Sequence, residues 1–217
     1  MNEQSKAAVR RHSDGAFLNR YFVGRGIDIG GGPDPLGQYV GVFPLMQEVM
    51  TWDREQGDAQ YLEALPDNCV DFIHSSHCLE HMVDVRVALD NWIRVVKPGG
   101  FLIITVPDED YYELGDWPSQ RNSDHKWSFT IYKPQSTMPK SINVLDLLRE
   151  VGDRVGVERV CLQNNFFRKV LAQANFDQTL TPVAECAIEF VLQKRPTFSD
   201  ELPALKASAP EIQILNQ

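Results

Sequence analysis

Residues 85–106 read VRVALDNWIRVVKPGGFLIITV: a helix, a stop and a strand in one run. Val85, Ala88, Leu89, Trp92, Ile93 and Val96 recur at helical spacing, so 85–96 is expected to bury one face of a helix, with Asp84 as its N-cap. Lys97-Pro98-Gly99-Gly100 ends that helix, and Phe101–Val106 is apolar throughout. An apolar run of this kind suits a strand covered on both faces, as in a parallel sheet between helix layers.

The same alternation extends in both directions. Strands are expected at 26–30, 48–53, 69–74, 155–163 and 184–193, and a helix at 141–151 capped by Ser141 or Asn143. A weak helical prelude covers 5–22, with Ala8, Phe17, Leu18, Tyr21 and Phe22 as its apolar members. Ala59–Leu65 suits a brief helix. Strands alternating with helices define a doubly wound α/β domain.

The chain has 217 residues, 43% of them hydrophobic, which is enough for one domain with a proper core. A net charge of −9 argues against duplex nucleic acid as the main partner. No apolar run reaches the roughly 20 residues that span a bilayer. Met1–Arg11 is polar and lacks the apolar stretch of a secretory signal. Cys69, Cys78, Cys161 and Cys186 show no CxxC spacing and read as reduced thiols, so a cytoplasmic location is expected.

Residues 26–32, Gly-Ile-Asp-Ile-Gly-Gly-Gly, end a strand in bare backbone against which a ligand can press. A dinucleotide would place its pyrophosphate on the N–H groups of the following helix. Here Asp34 and Pro35 occupy that place, one an anion and the other without an N–H, and Asp28 adds further repulsion. S-adenosylmethionine (SAM) has no phosphate and carries two cationic groups, so an acid on the first strand favours it. Asp53, 23 residues after Gly30 at the expected end of the second strand, fits a ribose site, although NAD would use the same acid.

Gly26–Gly32, Asp53, Gly57-Asp58-Ala59, Asp71-Phe72-Ile73 with Leu79-Glu80-His81, and Lys97–Gly100 follow one another at fitting separations. This series, over roughly residues 20–107, resembles the successive motifs of class I SAM-dependent methyltransferases. The resemblance implies a Rossmann-like fold with a mostly parallel seven-stranded sheet and helices on both faces. It also implies SAM as cofactor, S-adenosylhomocysteine as product, and a set of site residues. Asp28, Gly30, Gly31 and Gly32 would hold the methionine end and Asp53 the ribose. Asp58 would face the adenine amino group beside Ala59, while Ser75, Ser76 and His77 would line the methyl side. The short, Pro/Gly-rich helix after the glycine turn departs from the family pattern.

Residues 107–140 interrupt the alternation and are expected to form a lid over the acceptor, an insertion in a single domain spanning 1–195; 196–217 is a polar tail. Tyr111, Tyr112, Trp117 and Trp127 are its candidate substrate contacts. His125, in Asp124-His125-Lys126, could take a proton from an attacking hydroxyl, and His81 is a second candidate acid–base group. Asp108, Glu109, Asp110, Glu113 and Asp116 read as a solvated face. His77 and His81 are four residues apart, yet no acid or thiolate stands at a metal-site spacing, so no metal is expected. The resulting expectation is a methyltransferase acting on a small-molecule acceptor, by O-methylation of a sugar or secondary metabolite, without nucleic-acid or membrane partners. An NAD(P)-dependent oxidoreductase and a non-catalytic SAM-binding module are the alternatives.

Overall fold

The computed structural model describes residues 3–136 and 138–196; the expected tail, apart from Pro196, lies outside them. Among the described residues eight strands form: β1 (Gly24–Ile29), β2 (Met46–Trp52), β3 (Val70–Ser76), β4 (Val96–Pro107), β5 (Ser128–Thr130), β6 (Ser141–Asn143), β7 (Val155–Gln163) and β8 (Ala187–Lys194). Four helices accompany them: α1 (Glu3–His12), α2 (Val85–Val95), α3 (Val144–Val151) and α4 (Lys169–Gln173). No described helix is long and apolar enough to cross a membrane.

The main sheet runs β2-β1-β3-β4-β8-β7. β1 to β4 are parallel, and β8 is antiparallel to both of its neighbours. The expected doubly wound α/β sheet is therefore present, with six strands in the main sheet and β5–β6 as a separate parallel pair. The brief helix expected at Ala59–Leu65 is absent: after β2 the chain makes turns until β3. Asp58 Oδ1 takes the Gln60 N–H at 2.8 Å, so its side chain closes a turn there instead of capping a helix.

Pleating sorts the strand residues onto two faces. Ile27, Ile29, Leu102 and Ile104 pack against α2 and α3, with Trp92, Leu89, Leu147 and Leu148 in the same cluster. Phe72, Phe101 and Ile103 pack on the other face against Phe17, Tyr21, Phe22, Leu36 and Phe43. A Cβ at residue 26 would sit 2.2 Å from the Phe72 ring, so only glycine lets β1 approach that ring. Asp84 Oδ1 caps α2 through the N–H groups of Arg86 and Val87, and Asn143 caps α3 through Leu145 and Asp146. The helical prelude divides into α1 and a wide helical turn at Phe17–Tyr21. A tight 3-10 turn, Leu36–Val42, replaces the helix after the glycines. Asp34 does not cap it: its carboxylate accepts from the Ser5 N–H (2.8 Å) and the Tyr39 hydroxyl (2.7 Å), which ties α1 to the glycine turn.

α1 is held by charge. Arg11 is 0% exposed and donates to Glu189 Oε2 at 2.6 and 2.9 Å, to Gln4 Oε1 at 3.1 Å and to Thr105 Oγ1 at 3.2 Å. Its Nη1 also lies 3.0 Å from His74 Nε2, and His74 Nδ1 lies 2.6 Å from Asp28 Oδ1. Arg10 bridges Glu189 and Glu185 at 3.0 Å each. Burial alone would raise the Glu189 pKa, but the charges of Arg11 and Arg10 hold it down to about 2. A carboxylate depressed in the folded state stabilises the fold above its ordinary pKa, and that stability disappears as pH falls toward 2. We therefore expect Glu189→Gln to lower stability at neutral pH and to flatten the acid limb of the stability–pH curve. Urea melts at a series of pH values would show it; parallel curves for the two proteins would refute it.

Candidate active site

The winding direction reverses between β1 and β3, and open α/β sheets bind ligands at the carboxyl ends of such strands. A cleft of about 800 Å3 opens there, a volume typical of a small-molecule site. Gly30 begins its floor with φ +73°, and a Cβ at this position would meet Cys78 Sγ at 2.7 Å. Both the backbone geometry and the space require glycine. The Gly32 N–H reaches Asp53 Oδ2 at 3.3 Å, drawing the glycine turn toward the end of β2. A second cavity of about 140 Å3 adjoins the cleft, and the two share Gly30, Gly32, His77 and Asn122.

Most of the sequence-derived site residues converge here. Gly30, Gly32, Asp53, Asp58, Ala59, His77 and His81 line the cleft, and Asp28, Gly31, Ser76, Tyr112 and His125 line the smaller cavity. Asp28 is engaged on both oxygens, by His74 and by the Leu36 N–H at 2.7 Å. Ser75 is fully buried and lines neither space. Three of the aromatic candidates also stand apart. Tyr111 packs edge-on against Phe167, with centroids 4.8 Å apart. Trp117 lines neither cavity, and Trp127 packs against the α2–α3 core while donating to the Met82 carbonyl at 3.0 Å.

Three of the acids expected on a solvated face are buried: Asp108, Glu109 and Glu113. Glu109 takes Lys133 Nζ at 2.7 Å and the hydroxyls of Ser136 and Ser141, which fastens the segment before β6. Asp108 Oδ1 accepts from the N–H groups of Asp110 and Tyr111 at 2.9 and 3.0 Å. Burial nevertheless pushes its pKa up to about 6.

A group of carboxylates and histidines occupies the wall between the two spaces. Glu80, fully buried, lies 3.4 Å from His77 Nδ1 and 3.7 Å from His125 Nε2 without a hydrogen bond to either of its oxygens. Burial works to raise its pKa, but His77, His125 and His81 outweigh this and hold it below the usual range. His77 is shifted up, because Glu80 overcomes the opposing effect of burial. His125 Nδ1 pairs with Glu113 Oε1 at 2.7 Å, and His81 Nδ1 lies 3.1 Å from both the carbonyl and the carboxylate of Asp124. The segment carrying His125 is fastened by main chain: the Glu80 carbonyl accepts from the Lys126 N–H (2.9 Å) and the Trp127 N–H (3.3 Å). Sequence reasoning named His77, His81 and His125 singly but missed their convergence on Glu80 and Glu113, because 44 residues separate His81 from His125 and the Glu80 carbonyl leaves no sequence signal. It also missed Trp52, Met82 and Lys126 in the cleft and Glu3 and Gln4 in the smaller cavity.

Asp108 supplies a prediction with a definite sign. A carboxyl raised in the folded state keeps a proton that the unfolded chain releases, so stability falls as pH rises from about 4 to about 6. Asp108→Asn keeps the Oδ1 acceptor and removes that cost. It should raise stability by ~1–2 kcal/mol near pH 8 and by nothing near pH 4, as read by thermal melts at both pH values.

Residues 45–104 match the family model described as "Methyltransferase domain". No curated protein sequence matches the chain significantly. Several solved structures share the fold. A SAM-dependent methyltransferase from Archaeoglobus fulgidus is 18% identical over 89% of this chain and 95% of its own, with a TM-score of 0.54. A putative methyltransferase from Haloferax volcanii, solved with the Trm112 methyltransferase activator, is 15% identical over 90% and 95%, with a TM-score of 0.54. A Thermotoga maritima SAM-dependent methyltransferase, described as a possible histamine N-methyltransferase, is 17% identical over 88% and 90%, with a TM-score of 0.51. Residues 45–104 thus match a methyltransferase domain, and the chain shares the fold of SAM-dependent methyltransferases, which is consistent with class I.

Proposed function

We propose that the chain methylates an oxygen atom of a small polar molecule, with the acceptor held at the histidine-bearing wall between the cleft and the smaller cavity. The observation that carries this reading is the His125–Glu113 pair. With Nδ1 donating to Glu113, Nε2 of His125 keeps its lone pair and can accept a hydroxyl proton. An amine acceptor that is already neutral would need no such group.

Bound SAM supplies an electrophilic methyl group and a leaving group that departs neutral. The chain has to bind, align and keep water away, and alignment alone can contribute several kcal/mol to the rate. In this reading Asp53 accepts both ribose hydroxyls, and Asp58 and Ala59 flank the adenine. Asp28, through Gly30–Gly32, sets the methionine end. The segment 107–140 covers the acceptor, and its main-chain bonds to the Glu80 carbonyl support that role. His77 and Tyr112, whose rings lie 5.4 Å apart, would form the water-excluding side of the acceptor space.

Two measurements test the reading. Asp53→Ala should weaken SAM binding ~10- to 100-fold in calorimetry, the cost of hydrogen bonds to a charged acceptor. His125→Ala should slow S-adenosylhomocysteine release with hydroxylated acceptors by ~100-fold or more. SAM binding that ignores Asp53, or turnover confined to amines, would overturn it.

A further inference from the structure

We propose that Glu80, His81 and His125 bind one divalent transition-metal cation, which acidifies the hydroxyl of the methyl acceptor. The proposal rests on the oxygen-methylation reading above and replaces the simple base role of His125.

Convergence is the first observation. One ligand atom from each of the three residues lies within 4.8 Å of the others. Nitrogen and oxygen ligands stand roughly 2.0–2.2 Å from such a metal, hence roughly 3–4 Å from one another. His125 Nε2 and Glu80 Oε1, 3.7 Å apart, already meet that spacing.

The second observation is the state of Glu80. Its side chain is 0% exposed, and neither carboxylate oxygen has a hydrogen bond of good geometry, the nearest donors being His77 Nδ1 at 3.4 Å and His125 Nε2 at 3.7 Å. A buried carboxylate without a donor is costly, so such groups are paired or coordinate metals. A cation between Glu80 and the two imidazoles would satisfy it.

The groups behind the ligands agree. Metal-bound histidines usually donate their other ring N–H to a carboxylate or carbonyl, which fixes the tautomer. His125 does so to Glu113 (2.7 Å), and His81 does so to the Asp124 carbonyl (3.1 Å). Two imidazoles and one carboxylate suit Zn2+, Mn2+ or Co2+ better than Mg2+ or Ca2+, which prefer oxygen alone. Three protein ligands leave positions open for an acceptor oxygen entering from the cleft, which His81 lines.

The chemistry balances without a redox partner. The cation lowers the pKa of the acceptor hydroxyl, whose proton leaves to bulk solvent as the acceptor binds, before methyl transfer. An oxygen lone pair forms the C–O bond to the methyl group, and the broken C–S pair returns to sulfur as a neutral thioether.

The competing account is a proton: a protonated His77 would neutralise Glu80 without any metal. Chelator-treated wild-type protein titrated with Zn2+ or Mn2+ by calorimetry, and with Co2+ by visible absorption, separates the two. We expect one equivalent to bind. Glu80→Gln and His125→Gln should lose that binding with unchanged circular dichroism, and Glu113→Gln should weaken it ~10- to 100-fold. Absence of binding to the wild type, or binding undiminished in Glu80→Gln, overturns the cation site. SAM affinity is measured on the same samples. SAM binding with chelator-insensitive methylation of a hydroxyl leaves oxygen methylation standing and removes the metal; absence of SAM binding removes the reading beneath both.

Discussion

A guanidinium with no exposure to water sits between α1 and the sheet. Taking Arg11 out of solvent costs several kcal/mol, and that cost is recovered only if every donor finds an acceptor of good geometry. Glu189 on β8, Thr105 on β4, His74 on β3 and Gln4 on α1 meet this demand together. Because His74 also holds Asp28 on β1, the network crosses the sheet from β8 to the strand that carries the glycine turn. Its burial also accounts for the position of α1. The helix lies where Glu3 and Gln4 reach the smaller cavity and Ser5 meets Asp34.

The site has two electrostatic compartments, one around Asp28 and one around Glu80. On the α1 side, Asp28 is engaged by His74 and the Leu36 N–H, so both of its oxygens are already partnered within the protein. On the side of the 107–140 segment, Glu80 is balanced only by imidazoles, His77 at 3.4 Å and His125 at 3.7 Å, and His125 and His81 hold their other nitrogens on Glu113 and Asp124. The first compartment is built for rigidity. The second holds a buried carboxylate among imidazoles, an arrangement common where chemistry takes place.

The sheet was legible because its signals are local. The apolar run Phe101–Val106, the helical stripe of α2, the caps Asp84 and Asn143 and the acids at strand ends all lie within a few residues of what they determine. Asp53 and Gly30 could be placed in the cleft for the same reason. What escaped the sequence depends on pairings between distant segments. Arg10 and Arg11 look like solvated charges until Glu185 and Glu189, more than 170 residues later, bury them. Asp108, Glu109 and Glu113 look like an acidic surface until serines, Lys133, His125 and backbone N–H groups enclose them. Trp127 resembled a pocket aromatic because nothing local indicates that its indole turns to the Met82 carbonyl.

The bond from the Glu80 carbonyl to the N–H groups of Lys126 and Trp127 divides the 107–140 segment into parts with different freedoms. Downstream of Asn122 the chain is registered to the Leu79–His81 turn, and a shift of one residue would remove His125 from its place. Upstream, Gly115, Asp116, Pro118 and Gln120 lie exposed in turns, where changes of length cost little. Insertions or deletions there can therefore accumulate while the bonds that seat His125 beside Glu80 stay in place.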